Sequence, residues 1–158
     1  MGLLTFKGGI HPNDGKSLAK DQPIKEVIPT GKMIYPLSQH IGAPATAIVG
    51  KGDAVLKGQK IAEAGGFVSA PIYSSVSGKV IALEKHLNPT GNSVDCIVIE
   101  NDGEYNEVEY SSPKALGEMS KEEILNKIGE AGIVGMGGAG FPTRVKLSPK
   151  EPDKIEYI

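Results

Sequence analysis

Short apolar runs separated by glycine-containing turns recur through residues 31–100, and this alternation constrains the fold more than any other feature of the sequence. The runs lie at 34–35, 46–49, 55–56, 60–62, 72–73, 79–83 and 94–99. The turns between them lie at 50–53, 57–59, 65–66, 77–78 and 90–92. Strands this short and this closely spaced predict a small barrel or sandwich rather than an α/β unit. We therefore expect a mainly β chain.

The segments on either side of this region contain turn residues too often for long elements. We interpret residues 1–30 as an irregular N-terminal arm, with a short strand where Ile24, Val27 and Ile28 recur. Residues 101–119 are polar and rich in turn residues, so we interpret them as a linker or a crossing segment.

One amphipathic helix is predicted after this segment. Ser120 followed three residues later by Glu123 has the pattern of a capping box. Apolar residues then recur at helical spacing, at Ile124, Leu125 and Ile128. The helix is expected over about residues 121–130, with Gly132 as its stop. Residues 154–158 alternate like the start of a strand, and a lone strand cannot satisfy its edges, so we expect the natural protein to continue past residue 158.

The composition disfavours several functions. The formal net charge is −2 and the only arginine is Arg144, which makes a nucleic-acid partner unexpected. The single cysteine, Cys96, cannot form an internal disulfide or hold an iron–sulfur cluster or a tetrahedral zinc ion. Its place within an apolar run predicts a buried, inert thiol. No run of about 18 apolar residues is present, so no transmembrane segment is expected.

The histidines do not form a recognisable metal motif. His11, His40 and His86 stand far apart, and none belongs to a ligand pair such as His-x-x-x-His. We expect structural or solvent-facing imidazoles, no metal site and no catalytic residue.

Two stretches, 49–63 and 74–80, resemble the halves of a biotinyl or lipoyl domain. Gly52, Gly58 and Gly78 stand where a flattened barrel must reverse, and glycine tolerates the positive φ angles of such turns. The resemblance implies a barrel-sandwich hybrid fold.

The carrier function of that family is not expected here, because the lysine that carries the prosthetic group is missing. The corresponding hairpin tip holds Phe67, and no lysine occurs between Lys60 and Lys79. The remaining interpretation is a structural hairpin whose apolar tip packs on a neighbour or docks within a larger assembly.

A glycine-rich stretch follows the predicted helix. Gly135, Gly137 and Gly140 match the spacing of the dinucleotide-binding fingerprint. That fingerprint requires a strand before it and a helix that starts inside it, whereas here a helix precedes and Phe141-Pro142 interrupts. We therefore reject a Rossmann loop, and the absence of a following Gly-Lys-Ser/Thr excludes a P-loop.

The longer string 135–147 is similar to the flavin loop of the NADH-binding subunit of respiratory complex I, a loop that the RnfC family shares. The resemblance implies four FMN-contact residues, Gly135, Gly137, Gly138 and Lys146. Glycines let a flat isoalloxazine ring approach the backbone, and successive N–H groups can form an anion nest. The chain departs from the complex I pattern at Met136, where that protein has arginine, and at Leu147, where it has tryptophan.

Further strings resemble the N-terminal domain of the RnfC family, at 6–12, 36–44 and 65–71. Their order, with the flavin loop after them, covers nearly the whole chain. The resemblance implies an N-terminal arm over 1–30 and a barrel-sandwich hybrid domain over 31–110. Residues 111–158 would then be a linker, a helix and the glycine loop that opens a truncated α/β flavin- and NADH-binding domain.

RnfC proteins are peripheral subunits of a membrane-bound ferredoxin:NAD oxidoreductase coupled to ion transport. The resemblance implies FMN and NAD(H) as cofactors of the full-length protein, with iron–sulfur clusters bound downstream of residue 158. Other Rnf subunits would be direct partners and ferredoxin an indirect one, on the cytoplasmic side of the cell membrane. By itself this piece is expected to bind no cofactor and to be inactive. Two alternatives remain open: an RnfC-like soluble protein such as a cobalamin reductase, and a ligand-free docking module.

Overall fold

The structure, a computed structural model, describes residues 8, 10, 12–112 and 114–155. Strands β1 to β7 span Lys32–Pro36, Thr46–Ala47, Ala54–Val55, Lys60–Glu63, Ile72–Tyr73, Gly78–Leu87 and Ser93–Asn101. Helices α1 and α2 span Lys121–Glu130 and Thr143–Lys146, and 3₁₀ turns span Lys16–Leu18, Leu116–Glu118 and Pro152–Lys154. Each of the seven apolar runs within residues 31–100 overlaps one of these strands, so the mainly β prediction is confirmed.

Two antiparallel sheets form the barrel. One has the strand order β1-β7-β6-β3 and the other β2-β4-β5. The long strands β6 and β7 pair at the centre of the four-stranded sheet, with a register shift between Val80 and Ala82. Apolar side chains from both sheets meet in one core, in which Ile61, Val80 and Ile97 are fully buried. Cys96 is also buried, as predicted.

Glycines with positive φ angles stand at three reversals of the chain direction, as the turn chemistry predicted. Gly52, Gly58 and Gly78 have φ angles of +104°, +79° and +153°. At Gly78, where β6 begins, an added Cβ would also collide with the carbonyl oxygen of Glu100. The reversal at Gly78 therefore requires glycine both for its backbone angle and for space.

The polar segment after β7 crosses back over the barrel. The amide of Lys57 donates to the carbonyl of Asn106 at 2.9 Å, and Val108 donates back to Lys57 at 3.0 Å. The Ser77 hydroxyl donates to Asp102 at 2.7 Å, and the Tyr105 hydroxyl donates to the Pro29 carbonyl at 2.6 Å. Of the two interpretations of residues 101–119, the crossing segment is the one that holds for their first part.

Helix α1 begins and ends as its sequence predicts. The Ser120 hydroxyl accepts from the Glu123 amide while the Glu123 carboxylate accepts from the Ser120 amide, which completes the capping box. At the other end Gly132 has a φ of +66° and donates to Gly129 at 3.0 Å, and the Ile133 amide reaches the Ile128 carbonyl. This pair of bonds is a Schellman motif.

One predicted strand is wrong. Ile24, Val27 and Ile28 form no strand and are exposed, because Pro23 and Pro29 flank them and no described strand lies alongside. Near the end of the chain, Pro152–Lys154 forms a 3₁₀ turn, which the fixed φ of proline favours at its first position. Most of the strand expected at 154–158 lies outside the described residues, at 156–158, so that strand stays a prediction.

No helix in the described ranges is long and apolar enough to cross a membrane. The longest of them, α1, has 10 residues.

Candidate functional site

The candidate site is the glycine loop, defined as residues 135–140. It follows the Schellman motif of α1 and closes on itself, because the Gly135 amide donates to the Phe141 carbonyl at 2.8 Å. The Gly140 amide donates to Gly137 at 3.1 Å, and an antiparallel bridge joins Val134 to Pro142 at the base. Helix α2 begins directly after this base.

One end of the glycine loop rests on the barrel. The Ile41 amide donates to the Ala139 carbonyl at 2.9 Å. A Cβ added at Gly140 would lie 3.2 Å from the Gln39 carbonyl oxygen, and Gly140 has a φ of +55°. The fold itself therefore explains the glycine at 140, since a side chain would be strained and crowded there.

The other glycines of the loop have no such explanation within the described residues. A Cβ at Gly137 or Gly138 would meet nothing within 4 Å, and neither residue has a positive φ. At Gly135 the nearest atom is the Phe141 carbonyl oxygen at 3.5 Å, an ordinary contact. Glycine at these three positions leaves the backbone open to close approach from outside.

Unpaired amides lie along the same stretch. Within the ranges that the structure describes, the N–H groups of Met136–Ala139 have no hydrogen-bond acceptor. They border an open groove of about 510 Å³, lined by residues 38–41, Asn88 and 134–140. Successive free N–H groups in a turn can bind an anion such as a phosphate, and an exposed glycine backbone admits a flat ring.

The structure brings three of the four predicted flavin contacts together and leaves the fourth apart. Gly135, Gly137 and Gly138 line the groove, whereas Lys146 does not. Lys146 ends the short helix α2, with an exposed side chain. The side chain of Met136, which replaces the arginine of the complex I pattern, is 100% exposed.

Arg144 has a structural contact instead of a place in the groove. Its guanidinium donates to the Asn126 side-chain oxygen at 3.0 Å, so it ties α2 to α1.

His40 is a residue whose position the sequence did not reveal. Its Nε2 atom lies 3.1 Å from the Ala70 amide, and its Nδ1 atom lies 3.0 Å from the Ile41 carbonyl oxygen. The ring is half-buried and lines the groove. The sequence predicted a structural or solvent-facing imidazole but did not predict this position beside the glycine loop. His86 contacts Glu84 at 3.0 Å, and His11 lies outside the described residues.

A second groove, of about 360 Å³, separates the helices from the tip loop, defined as residues 64–71 between β4 and β5. At its edge Lys60 pairs with Glu130, and the Tyr73 hydroxyl donates to the Glu130 carbonyl. The hydrogen bond to Glu130 raises the pKa of Lys60, and burial raises the pKa of Tyr73. Phe67, at the tip, is 82% exposed.

Among the described residues, no three His, Cys, Asp or Glu side chains converge as a metal site.

Comparisons with known proteins agree with the fold. Residues 4–104 match the family model described as the RnfC barrel sandwich hybrid domain. Over 157 residues the chain is 45% identical to a subunit of the proton-translocating ferredoxin:NAD(+) oxidoreductase complex of Clostridium ljungdahlii, covering 99% of the chain and 34% of the relative. It is 43% identical to the counterpart from the Na(+)-translocating complex of Acetobacterium woodii, covering 98% of the chain and 35% of the relative.

A more distant relative belongs to the ion-translocating oxidoreductase complex of Citrobacter koseri and is 39% identical over 99% of the chain and 22% of the relative. The chain thus spans about a third or less of the length of these relatives.

Proposed function

The chain belongs to the RnfC family, and we propose that it forms the barrel and the first part of the flavin site in the peripheral electron-transfer subunit of an ion-translocating ferredoxin:NAD oxidoreductase. In this proposal the barrel anchors the glycine loop, and the loop forms one wall of an FMN site. The rest of the subunit supplies the other wall, the NAD(H) contacts and the iron–sulfur clusters.

The observation that carries the proposal is the unexplained glycine at 137 and 138. Neither the backbone angles nor the packing of the described residues requires it, yet the adjoining amides have no acceptor among those residues and belong to residues that line the groove. Close approach of a flat ligand with an anionic group accounts for both features. These residues therefore fit FMN, whose isoalloxazine ring is flat and whose phosphate is an anion.

Each predicted contact has a distinct part in this site. Gly135, Gly137 and Gly138 admit the ring to the backbone, and the amides from Met136 to Ala139 receive the phosphate. Lys146 adds a positive charge to this site once the rest of the subunit supplies the other wall. When bound, the flavin supplies the change from two-electron exchange with NADH to one-electron exchange with clusters, and the protein supplies binding and orientation.

Partners and location follow from the same family. The relatives are named as subunits of ion-translocating oxidoreductase complexes, so we expect this protein to dock on other Rnf subunits at the cytoplasmic side of the membrane. Ferredoxin would exchange electrons with the complex through those partners.

The test is an FMN titration of the longer RnfC protein that contains this chain, with Gly138→Ala as the variant. Because the added methyl would meet no atom of the described residues within 4 Å, we expect folding to be unchanged and the approach of the ligand to be obstructed. We expect the FMN dissociation constant to rise about tenfold or more, equivalent to about 1.4 kcal/mol.

Gly117→Ala is the matched control, since its Cβ also meets nothing within 4 Å and its φ is not positive. Equal FMN affinity in both variants and the wild type would show that the glycine loop is not part of a flavin site.

A ligand-free docking module is the second candidate, and the exposed Phe67 ring at the barrel tip favours it. In that case the Rnf complex would assemble poorly with Phe67→Ser while FMN binding by the RnfC protein stayed unchanged. A Phe67→Ser variant that assembles normally would remove this candidate.

A further inference from the structure

His40 connects three segments that are distant in the sequence. Its Nε2 atom accepts a hydrogen bond from the Ala70 amide in the tip loop, at 3.1 Å. Its own neighbour Ile41 donates to Ala139 in the glycine loop, at 2.9 Å. Gly140 lies against the backbone of the same histidine, since a Cβ there would be 3.4 Å from the His40 Cα.

These contacts require one tautomer of a neutral imidazole. A backbone amide can only donate, so Nε2 must be the unprotonated nitrogen. Nδ1 then carries the proton and donates to the Ile41 carbonyl oxygen, at 3.0 Å. The ring thereby fixes the Ile41–Gly42 peptide group, next to the Ile41 amide that donates to Ala139 in the glycine loop.

The tip loop is joined to the same segment by a second bond. The Ala43 amide donates to the Val68 carbonyl at 3.0 Å, and a Cβ at Gly42 would collide with that carbonyl oxygen. The segment from His40 to Ala43 therefore lies between the tip loop on one side and the glycine loop on the other.

Among the described residues, no ionisable side chain belongs to the segments packed against His40. Residues 36–45 contain none apart from His40 itself, and neither do 64–71, 134–142 or the turn at 88–92. Protonation of the ring would thus have no compensating carboxylate, and it would place an N–H opposite the N–H of Ala70. The contact to the tip loop is lost when the ring gains a proton.

We propose that His40 is the positioning residue of the glycine loop, and that it holds the loop against the barrel only in its neutral, Nδ1-protonated form. Its effect on flavin affinity rests on the proposed function above, whereas its effect on loop order does not. The segment ordered by His40 holds the glycine loop in the conformation in which residues 135–140 line the groove.

The test compares His40→Gln and His40→Ala by amide hydrogen exchange of the full chain. Glutamine places a carbonyl oxygen near the position of Nε2, so it can accept from Ala70 without titrating. Alanine removes the acceptor. His86→Gln is the control, because it removes a histidine whose Nε2 atom contacts Glu84 and not the tip loop.

At pH 8 we expect His40→Ala to lower the protection of the Ile41, Ala70 and Gly140 amides about fivefold, as the loss of one hydrogen bond implies. His40→Gln should keep the wild-type protection. Between about pH 8 and pH 5, the range in which histidines change charge, wild type and His86→Gln should lose protection while His40→Gln does not. Unchanged protection in His40→Ala, or equal pH dependence in His40→Gln and wild type, would overturn the inference.

An FMN titration at pH 8 separates this inference from the proposed function. If both hold, His40→Ala weakens FMN binding by the longer RnfC protein and His40→Gln restores it. If wild type binds no FMN, the proposed function fails, but the exchange data still decide the role of His40. If wild type binds FMN and His40→Ala binds it equally well, the flavin site stands and the positioning role is wrong.

Discussion

At the scale of single residues, the glycines separate into two groups by what a side chain would meet. Gly78 and Gly140 combine a positive φ with a close backbone neighbour, so the fold requires them. Gly137 and Gly138 have neither constraint. Sequence alone could not distinguish these groups, because both are glycines in turn-like strings. The difference depends on neighbours supplied by Glu100 and Gln39, which are remote in the sequence.

We predict that Gly78→Ala lowers the free energy of unfolding by at least about 2 kcal/mol, because the methyl group collides with a backbone carbonyl that cannot move aside. Urea denaturation of the chain measures this value. Gly117→Ala, with open space around its Cβ, should change stability by no more than about 0.5 kcal/mol. Equal stability of the two variants would mean that β6 does not begin in this conformation.

Asp102 gives the chain an acid-dependent contact. The Ser77 hydroxyl, as a hydrogen-bond donor, lowers the pKa of Asp102 below its ordinary value of 3.8. As the pH falls, the unfolded chain therefore takes up the proton first. The stabilisation is complete above that ordinary value and is lost as the pH falls through the lower, folded one.

We predict that Asp102→Asn reduces the acid sensitivity of unfolding below about pH 4, since the amide oxygen still accepts from Ser77 but no longer titrates. Urea midpoints from pH 5 to pH 2 measure this. Asp53→Asn, in the turn before β3, is the comparison variant because its carboxylate does not contact Ser77. If the urea midpoint falls equally with pH in Asp102→Asn and in the wild type, the Ser77–Asp102 contact is not the source of the acid sensitivity.

At the scale of elements, local signals in the sequence were sufficient for the strands and for α1. The strands were predictable because glycine turns bound each apolar run, and α1 because both of its ends carry capping residues. The strand expected at 24–28 failed because a strand also needs a neighbour, which periodicity does not report. The contact of the glycine loop with the barrel was likewise not predictable, because Ile41 and Ala139 are distant in the sequence and only the tertiary fold brings them together.

The stability of helix α1 depends strongly on the capping of its ends, because none of its residues is fully buried. We predict that Ser120→Ala destabilises the helix by about 1 kcal/mol, through loss of the acceptor for the Glu123 amide. Amide exchange within 121–130 should quicken about fivefold while exchange in β6 and β7 stays the same. Ser112→Ala, an exposed serine outside the helix, is the control. Equal effects of the two substitutions would rule out the capping box as a source of stability.

At the scale of the whole molecule, the barrel and the helical segment are joined by few contacts. Lys60 pairs with Glu130, the Tyr73 hydroxyl reaches the Glu130 carbonyl, and Ile41 reaches Ala139. The barrel, by contrast, has a continuous core of buried, mostly aliphatic side chains. This difference in burial implies separate local stabilities for the two parts.

We predict that the amides of β6 and β7 exchange most slowly and only by global unfolding, while those of α1 and the glycine loop exchange by local opening. Glu130→Gln, which breaks the pair with Lys60, should quicken exchange in α1 and leave β7 unchanged. Because Glu130 is 70% exposed, the effect should not exceed about 1 kcal/mol. Glu122→Gln, elsewhere on the same helix, is the control. Equal protection of the α1 and β7 amides from exchange would show that the barrel and the helical segment do not differ in local stability.

In the function proposed for this chain, the glycine loop forms one wall of a flavin site. The most direct test of this claim is amide hydrogen exchange of the longer RnfC protein with and without FMN. We predict that FMN slows exchange about tenfold or more at Met136–Ala139, whose amides have no acceptor among the described residues, and leaves β6 and β7 unaffected. FMN that binds tightly without changing exchange at these residues would place the flavin elsewhere and contradict the claim.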